Sequence, residues 1–237
     1  MIKNFINEQK TFEVNDSLDI ELISVGKEKH KVLIVDNFYK NPMMVRELAC
    51  VIPPTNKEKV LLQLPGGRKA GRVNAFYDLS QLGSVYDKLI KEYYPEIYEQ
   101  YFENAIFDSF ERATFMVNVM NSNNLPPRVP HVDMPDLRAL ASMIYLNIDE
   151  ECAGGTAFYS FGNQEHGTYW PSTIDVDGKI LPTEYVIEDI GDWKKICMID
   201  MKFNRMLLYS QALYHSAYVT KEMFQDDNFR INQMFFI

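Results

Sequence analysis

The sequence predicts an α+β chain in which helices come first and a β-sandwich or barrel follows. Two observations carry that expectation. Apolar residues recur at helical spacing within roughly the first hundred positions, whereas from Phe110 onward short β-branched and aromatic runs alternate with turn-forming residues to the end. A third observation sets the domain count. At 237 residues, 46% hydrophobic and 13% aromatic, the chain can bury a large core and sits at the upper end of one domain. The expected division is helical support over about residues 1–108 and a β-rich core over about 109–237.

Residues 31–39, KVLIVDNFY, form a β-branched run that stops at Lys40-Asn41-Pro42. Asn41 can cap a helix there and Pro42 suits its first turn. The spacing of Val45, Leu48 and Ala49 predicts a helix over about 42–50, ended by Pro53-Pro54. Leu64-Pro65-Gly66-Gly67-Arg68-Lys69 reads as a mobile surface loop, and it lacks the Gly spacing and following Ser/Thr of a phosphate-binding loop. Leu82, Val85, Leu89 and Tyr93 predict an amphipathic helix over about 79–94, closed by Pro95. RATFMVNVM, RALASMIYLNI, GGTAFYSFG, NRMLLYS and the terminal FRINQMFFI then read as strands. Residues 163–202 stand between two of them as a long connection carrying Tyr169, Trp170, Tyr185 and Trp193. Such a loop serves as a substrate lid, or its aromatics seal the barrel mouth or a homodimer contact.

Bulk properties exclude several classes. Twenty-four Lys+Arg against 33 Asp+Glu give a net charge of -9, the wrong sign for neutralising phosphates, so no nucleic acid partner is expected beyond a local basic groove. No apolar stretch follows a basic start, and no run reaches the ~18 apolar residues of a membrane span, so the expectation is a cytoplasmic protein without a membrane partner. Cys50, Cys152 and Cys197 are odd in number and far apart, which argues for reduced, mostly buried thiols.

His131-Val132-Asp133 places an imidazole and a carboxylate two positions apart, so in an extended segment both project from one face. One more neutral nitrogen would complete a facial set of two histidines and one carboxylate, which leaves three coordination positions open and suits non-haem iron(II). Of His30, His166 and His215, only His215 follows a strand pattern in the β-rich half. His166 has no ligand partner at useful spacing and stays outside the expected site. Taken alone, the three residues fit ordinary structural roles at least as well.

Their company changes this. The order His131-x-Asp133, Ser142-Met-Ile-Tyr-Leu-Asn147, Gly154-Gly-Thr-Ala-Phe158, Asn204-Arg-Met-Leu-Leu208, His215 and Phe229-Arg-Ile-Asn-Gln-Met-Phe-Phe236 resembles the 2-oxoglutarate and iron(II)-dependent oxygenase superfamily, in its prolyl 4-hydroxylase-like branch. The resemblance covers residues 110–237 and, more weakly, the strand and helix over 32–50. It implies a double-stranded β-helix, a cupin-like jelly-roll barrel with the N-terminal helices packed outside, and an Fe(II) ion held by His131, Asp133 and His215. It further implies 2-oxoglutarate and O2 as co-substrates and hydroxylation of a small molecule or a protein side chain, with release of succinate and CO2. Halogenating relatives lack the carboxylate that Asp133 supplies here.

In that family a basic residue on the last barrel strand binds the far carboxylate of 2-oxoglutarate, and Arg230 matches that place. In strand register Arg230, Asn232, Met234 and Phe236 share one face. Arg230 lies farther from His215 than is usual in the family, which leaves Lys221 as a competing anchor. Tyr145 matches a tyrosine that bonds the same carboxylate, or it is a core residue. A second family tyrosine would fall near Asn121 and is absent. Gly154-Gly155 is read as a turn, and Arg205 as structural. Two other classes stay open: a non-catalytic jelly-roll binding protein, and a cupin-type metalloenzyme indifferent to Arg230→Glu.

Overall fold

The computed structural model of the chain describes residues 7–51, 62–63, 69–101, 114–120, 130–167, 187–226 and 228–237. In chain order the elements are α1 (Glu8–Thr11), β1 (Asp19–Val25), β2 (His30–Asp36), α2 (Pro42–Val51), β3 (Leu62–Gln63), β4 (Lys69–Phe76), α3 (Ser80–Tyr93) and α4 (Pro95–Tyr101). There follow β5 (Thr114–Met120), β6 (Leu140–Tyr145), β7 (Gly155–Phe161), β8 (Trp193–Asp200), β9 (Met206–Ser210), β10 (His215–Tyr218) and β11 (Arg230–Phe236). The strands form a large sheet in the order β1-β2-β9-β6-β11-β5-β4-β3 and a small one in the order β10-β7-β8. Their pairings are antiparallel.

Side chains alternate across a strand, and over β2, β9, β6 and β11 both faces of the large sheet are covered. Leu33, Val35, Leu140, Ile144, Met206, Leu208, Ile231 and Phe235 meet Val45 and Leu48 of α2 and Leu82, Tyr86, Leu89 and Ile90 of α3 in one core cluster. On the opposite face Val32, Ile34, Ala141, Met143, Tyr145, Leu207 and Tyr209 meet Phe158 and Ile199 of the small sheet in a second. Each such aliphatic or aromatic burial contributes about 1.5–3 kcal/mol. Double coverage explains why β6 and β9, buried at every position, read as mostly apolar runs, broken only by Ser142 and Ser210, rather than as alternation.

The expected α2 and α3 are present, although Asn41 is not seen to cap α2: its side-chain amide donates to the Lys10 carbonyl at 3.2 Å. Several expectations need correction. α3 does end just before Pro95, but Pro95 also opens α4, because its missing N–H costs nothing in a first turn. The first half is not only helical, since β1 and β4 join the expected β2 in the large sheet, and β4 starts at Lys69, the last residue of the stretch read as a loop. β8 lies within the expected 163–202 loop. There Trp193 and Ile199 are buried while Lys194 and Asp200 are exposed, and the lysines mask a strand pattern. Cys50 is exposed, and Cys152 and Cys197 are half-buried free thiols. Residues 64–68, Asn121, Tyr169, Trp170 and Tyr185 lie outside the described residues. Gly154 does turn the chain, with φ of +61° and a Cβ position only 2.0 Å from the Tyr218 carbonyl oxygen. Among the described residues no helix is long and apolar enough to cross a membrane.

Candidate metal centre and its pocket

His131 and His215 exchange both backbone hydrogen bonds at 2.9 Å, an isolated antiparallel bridge that sets their imidazoles side by side with ring centroids 4.6 Å apart. Two residues on, the Asp133 N–H donates to the Gln211 carbonyl at 2.9 Å, which keeps the His131–Asp133 segment extended along the chain that leads into β10. Both side chains therefore leave from one face. His131 Nε2 lies 3.5 Å from Asp133 Oδ1, and His215 Nε2 lies 3.2 Å from Asp133 Oδ2. The three residues named from the sequence come together, each offering one ligand atom within 4.8 Å of the others.

Hydrogen bonding decides what those atoms are. His215 Nδ1 lies 2.8 Å from the Leu213 carbonyl, which can only accept, so Nδ1 carries a proton and Nε2 is the nitrogen turned to Asp133. Burial pushes the Asp133 carboxyl up, but hydrogen bonding and charge from His131 and His215 outweigh burial and hold it well below the usual carboxylate range. The 3.2 Å gap between His215 Nε2 and Asp133 Oδ2 is closed either by a proton on Nε2 or by a metal cation that both atoms bind. Ligand atoms at about 2.1 Å from a metal and at right angles stand about 3.0 Å apart, the range into which His215 Nε2 falls at 3.2 Å from Asp133. The donor set therefore fits a divalent metal with open coordination positions.

The cluster opens on a cavity of about 70 Å³ between the two sheets, walled by Met143 of β6, Thr156 of β7, Ser216 of β10 and the β11 residues Arg230, Asn232, Met234 and Phe236. The β11 residues share one face, as the strand register requires. Arg230 is only 3% exposed. One of its terminal nitrogens donates to Asn232 Oδ1, the other approaches Met143 Sδ at 3.4 Å, and Nε has no partner. Asn232 Nδ2 is likewise buried and unpartnered. Among the described residues no carboxylate pairs with this guanidinium. A buried cation flanked by orphaned donors suits an anion.

Tyr145 does not wall the cavity. The Arg230 guanidinium lies 5.4 Å from its ring centroid, and its hydroxyl shares a 2.7 Å hydrogen bond with Thr156. Lys221, the competing anchor, is exposed in a turn away from these walls. Arg205 is structural as expected, gripping Asp36 with Nε and a terminal nitrogen at 2.6 and 3.0 Å. Thr156 and Ser216 were not singled out from the sequence. They reach the cavity through the β7–β10 pairing, in which Ser216 stands opposite Ala157, and no local motif signals that.

Residues 16–230 match the model of a family described as "Family of unknown function (DUF6445)". No curated protein matches the chain. Among solved structures it is similar to EctD from S. alaskensis with bound Fe, at 10% identity over 96% of this chain and 87% of that one, with a TM-score of 0.45. It is also similar to EctD from the same organism with 2-oxoglutarate and 5-hydroxyectoine, at 8% identity over 94% and 85%, with a TM-score of 0.41. AviO1 from Streptomyces viridochromogenes Tue57 follows at 12% identity over 70% and 90%, with a TM-score of 0.23.

Proposed function

The chain belongs to that family of unknown function, and for it we propose the activity of an iron(II)- and 2-oxoglutarate-dependent dioxygenase that hydroxylates a small molecule or a protein side chain. The observation that carries this reading is one cavity holding both a two-histidine, one-carboxylate cluster and a buried arginine that, among the described residues, pairs with no carboxylate. The paired sheets then correspond to a jelly-roll barrel, with the metal at its mouth.

In this reading His131, Asp133 and His215 hold iron(II). Bound iron and 2-oxoglutarate together supply oxidative decarboxylation, in which O2 gives one oxygen atom to succinate and one to a substrate C–H bond while CO2 leaves. The chain's own groups do the rest. Arg230 binds the far carboxylate of 2-oxoglutarate, its planar fork suited to two parallel hydrogen bonds. Asn232 holds one guanidinium nitrogen and offers its free Nδ2–H to the same anion. Tyr145 acts through Arg230, fixing the guanidinium against its ring face rather than touching the anion with its hydroxyl. Met143 and Met234 supply apolar wall beside Arg230.

The test is aerobic incubation with iron(II) and 2-oxoglutarate, with succinate measured by mass spectrometry. Slow succinate release, reduced at least about 100-fold in a folded Asp133→Ala variant, is the expected result, since a metal ligand acts in every turnover. A well-folded, iron-loaded wild type that releases no succinate contradicts the reading.

A further inference from the structure

His30 opens β2 directly after the turn over residues 26–29, and His166 lies in a short segment that bridges Leu213. Separated by more than 130 positions, the two imidazoles meet with ring centroids 5.5 Å apart. Glu28 stands between them: its Oε2 is 3.4 Å from His30 Nε2 and 3.2 Å from His166 Nδ1. Yet both nitrogens are buried and neither makes a hydrogen bond, so the angles at these distances are not those of imidazole–carboxylate bonds. In a tetrahedral metal centre with bonds of about 2.1 Å, neighbouring ligand atoms stand about 3.4 Å apart, which is the spacing found.

The turn is built to present Glu28. The buried Glu165 carboxylate accepts from the Lys27 and Glu28 N–H groups at 2.7 and 3.0 Å, and its Oε2 lies 3.9 Å from His30 Nε2. It occupies the space beside Gly26, where φ is +75° and a Cβ would sit 2.0 Å from Glu165 Oε2. We propose that Glu28, His30 and His166 form a second metal site, for a borderline divalent cation of the zinc type, with Glu165 as the positioning residue.

Two neutral nitrogens and one carboxylate suit such an ion, and the half-exposed Glu28 side leaves room for water as a fourth ligand. The site clamps the β1–β2 turn to the segment paired with Leu213, whose carbonyl holds His215 Nδ1. It thereby braces the strand that carries one ligand of the first cluster. The proposal is independent of the chemistry assigned to that first cluster.

The experiment is calorimetric titration of the full chain with zinc(II) alone, in a His131→Gln background that breaks the first cluster. One equivalent is expected to bind and to raise the melting temperature. His166→Gln or Glu28→Gln, added to that background, is expected to weaken uptake at least tenfold. A folded His131→Gln protein that takes up no zinc overturns the proposal, and so does uptake unchanged by both added substitutions. Should His131→Gln not fold, the wild type is titrated instead: two equivalents falling to one in Glu28→Gln support the site, and an unchanged stoichiometry overturns it. A wild type with one equivalent that Glu28→Gln removes leaves this site standing and counts against the first cluster alone.

Discussion

The two faces of the large sheet are buried to a similar degree but treat their polar groups differently. Against the helices, tyrosine hydroxyls close the packing: Tyr39 donates to Gln233 Oε1 at 2.8 Å, Tyr86 bonds Ser142 Oγ at 2.6 Å, and Tyr94 donates to the Leu208 carbonyl at 2.7 Å. Gln233 Nε2 is the unpartnered atom on that side. Against the small sheet, Arg230 and Asn232 keep donors free around a buried positive charge. Such a charge weakens the ligand-free protein. On the proposed reading, the contrast separates a face that fixes the fold from a face built to receive an anion.

The sharpest way to break that contrast is Arg230→Met. Loss of a charge-assisted carboxylate contact is expected to raise the KM for 2-oxoglutarate roughly 10- to 100-fold. The melting temperature of the ligand-free chain should stay level or rise, because a buried unpaired cation is removed. A lowered melting temperature with an unchanged KM would make Arg230 a structural residue. The mirror experiment is Tyr39→Phe, which leaves Gln233 Oε1 buried without its donor and is expected to cost about 1–3 kcal/mol in urea unfolding. Its KM for 2-oxoglutarate should not move; a shift would mean that the two faces are coupled.

The smallest expected effect lies at the end of β2. Burial pushes the Asp36 carboxyl up, but Arg205 and Lys202 outweigh burial and lower it from its ordinary value of 3.8. A depressed folded value means that the pair stabilises the chain above that pH and that the contribution is lost as pH falls below it. Asp36→Asn is therefore expected to flatten the acid limb of the stability curve by about 1 kcal/mol or less, read by thermal unfolding between pH 2 and 5.

Legibility in the sequence followed locality. His131-x-Asp133 sits in one extended segment, and the face shared by Arg230 and Asn232 follows from strand period alone, so both were visible without a fold. β1 was not visible, because as an edge strand it leaves Ile20 and Leu22 exposed and offers no buried stripe. The position of Tyr145 was half visible: its place near Arg230 follows from the Asn232–Tyr145 register, but the turn of its hydroxyl to Thr156 is a packing outcome. The His30–His166 pair was invisible for a topological reason. It forms where a hairpin turn meets a segment bridged to Leu213, and no spacing rule connects them.

The central claim is that the cluster at His131, Asp133 and His215 and the cradle at Arg230 form one site. Anaerobic titration of iron(II) and then 2-oxoglutarate into the metal-free protein tests it most directly, through the visible charge-transfer absorption of the iron–2-oxoglutarate chelate. The account predicts a saturable band that disappears in His131→Ala and that needs at least about tenfold more 2-oxoglutarate in Arg230→Met. A well-folded wild type that shows no band, or a band indifferent to both substitutions, would contradict it.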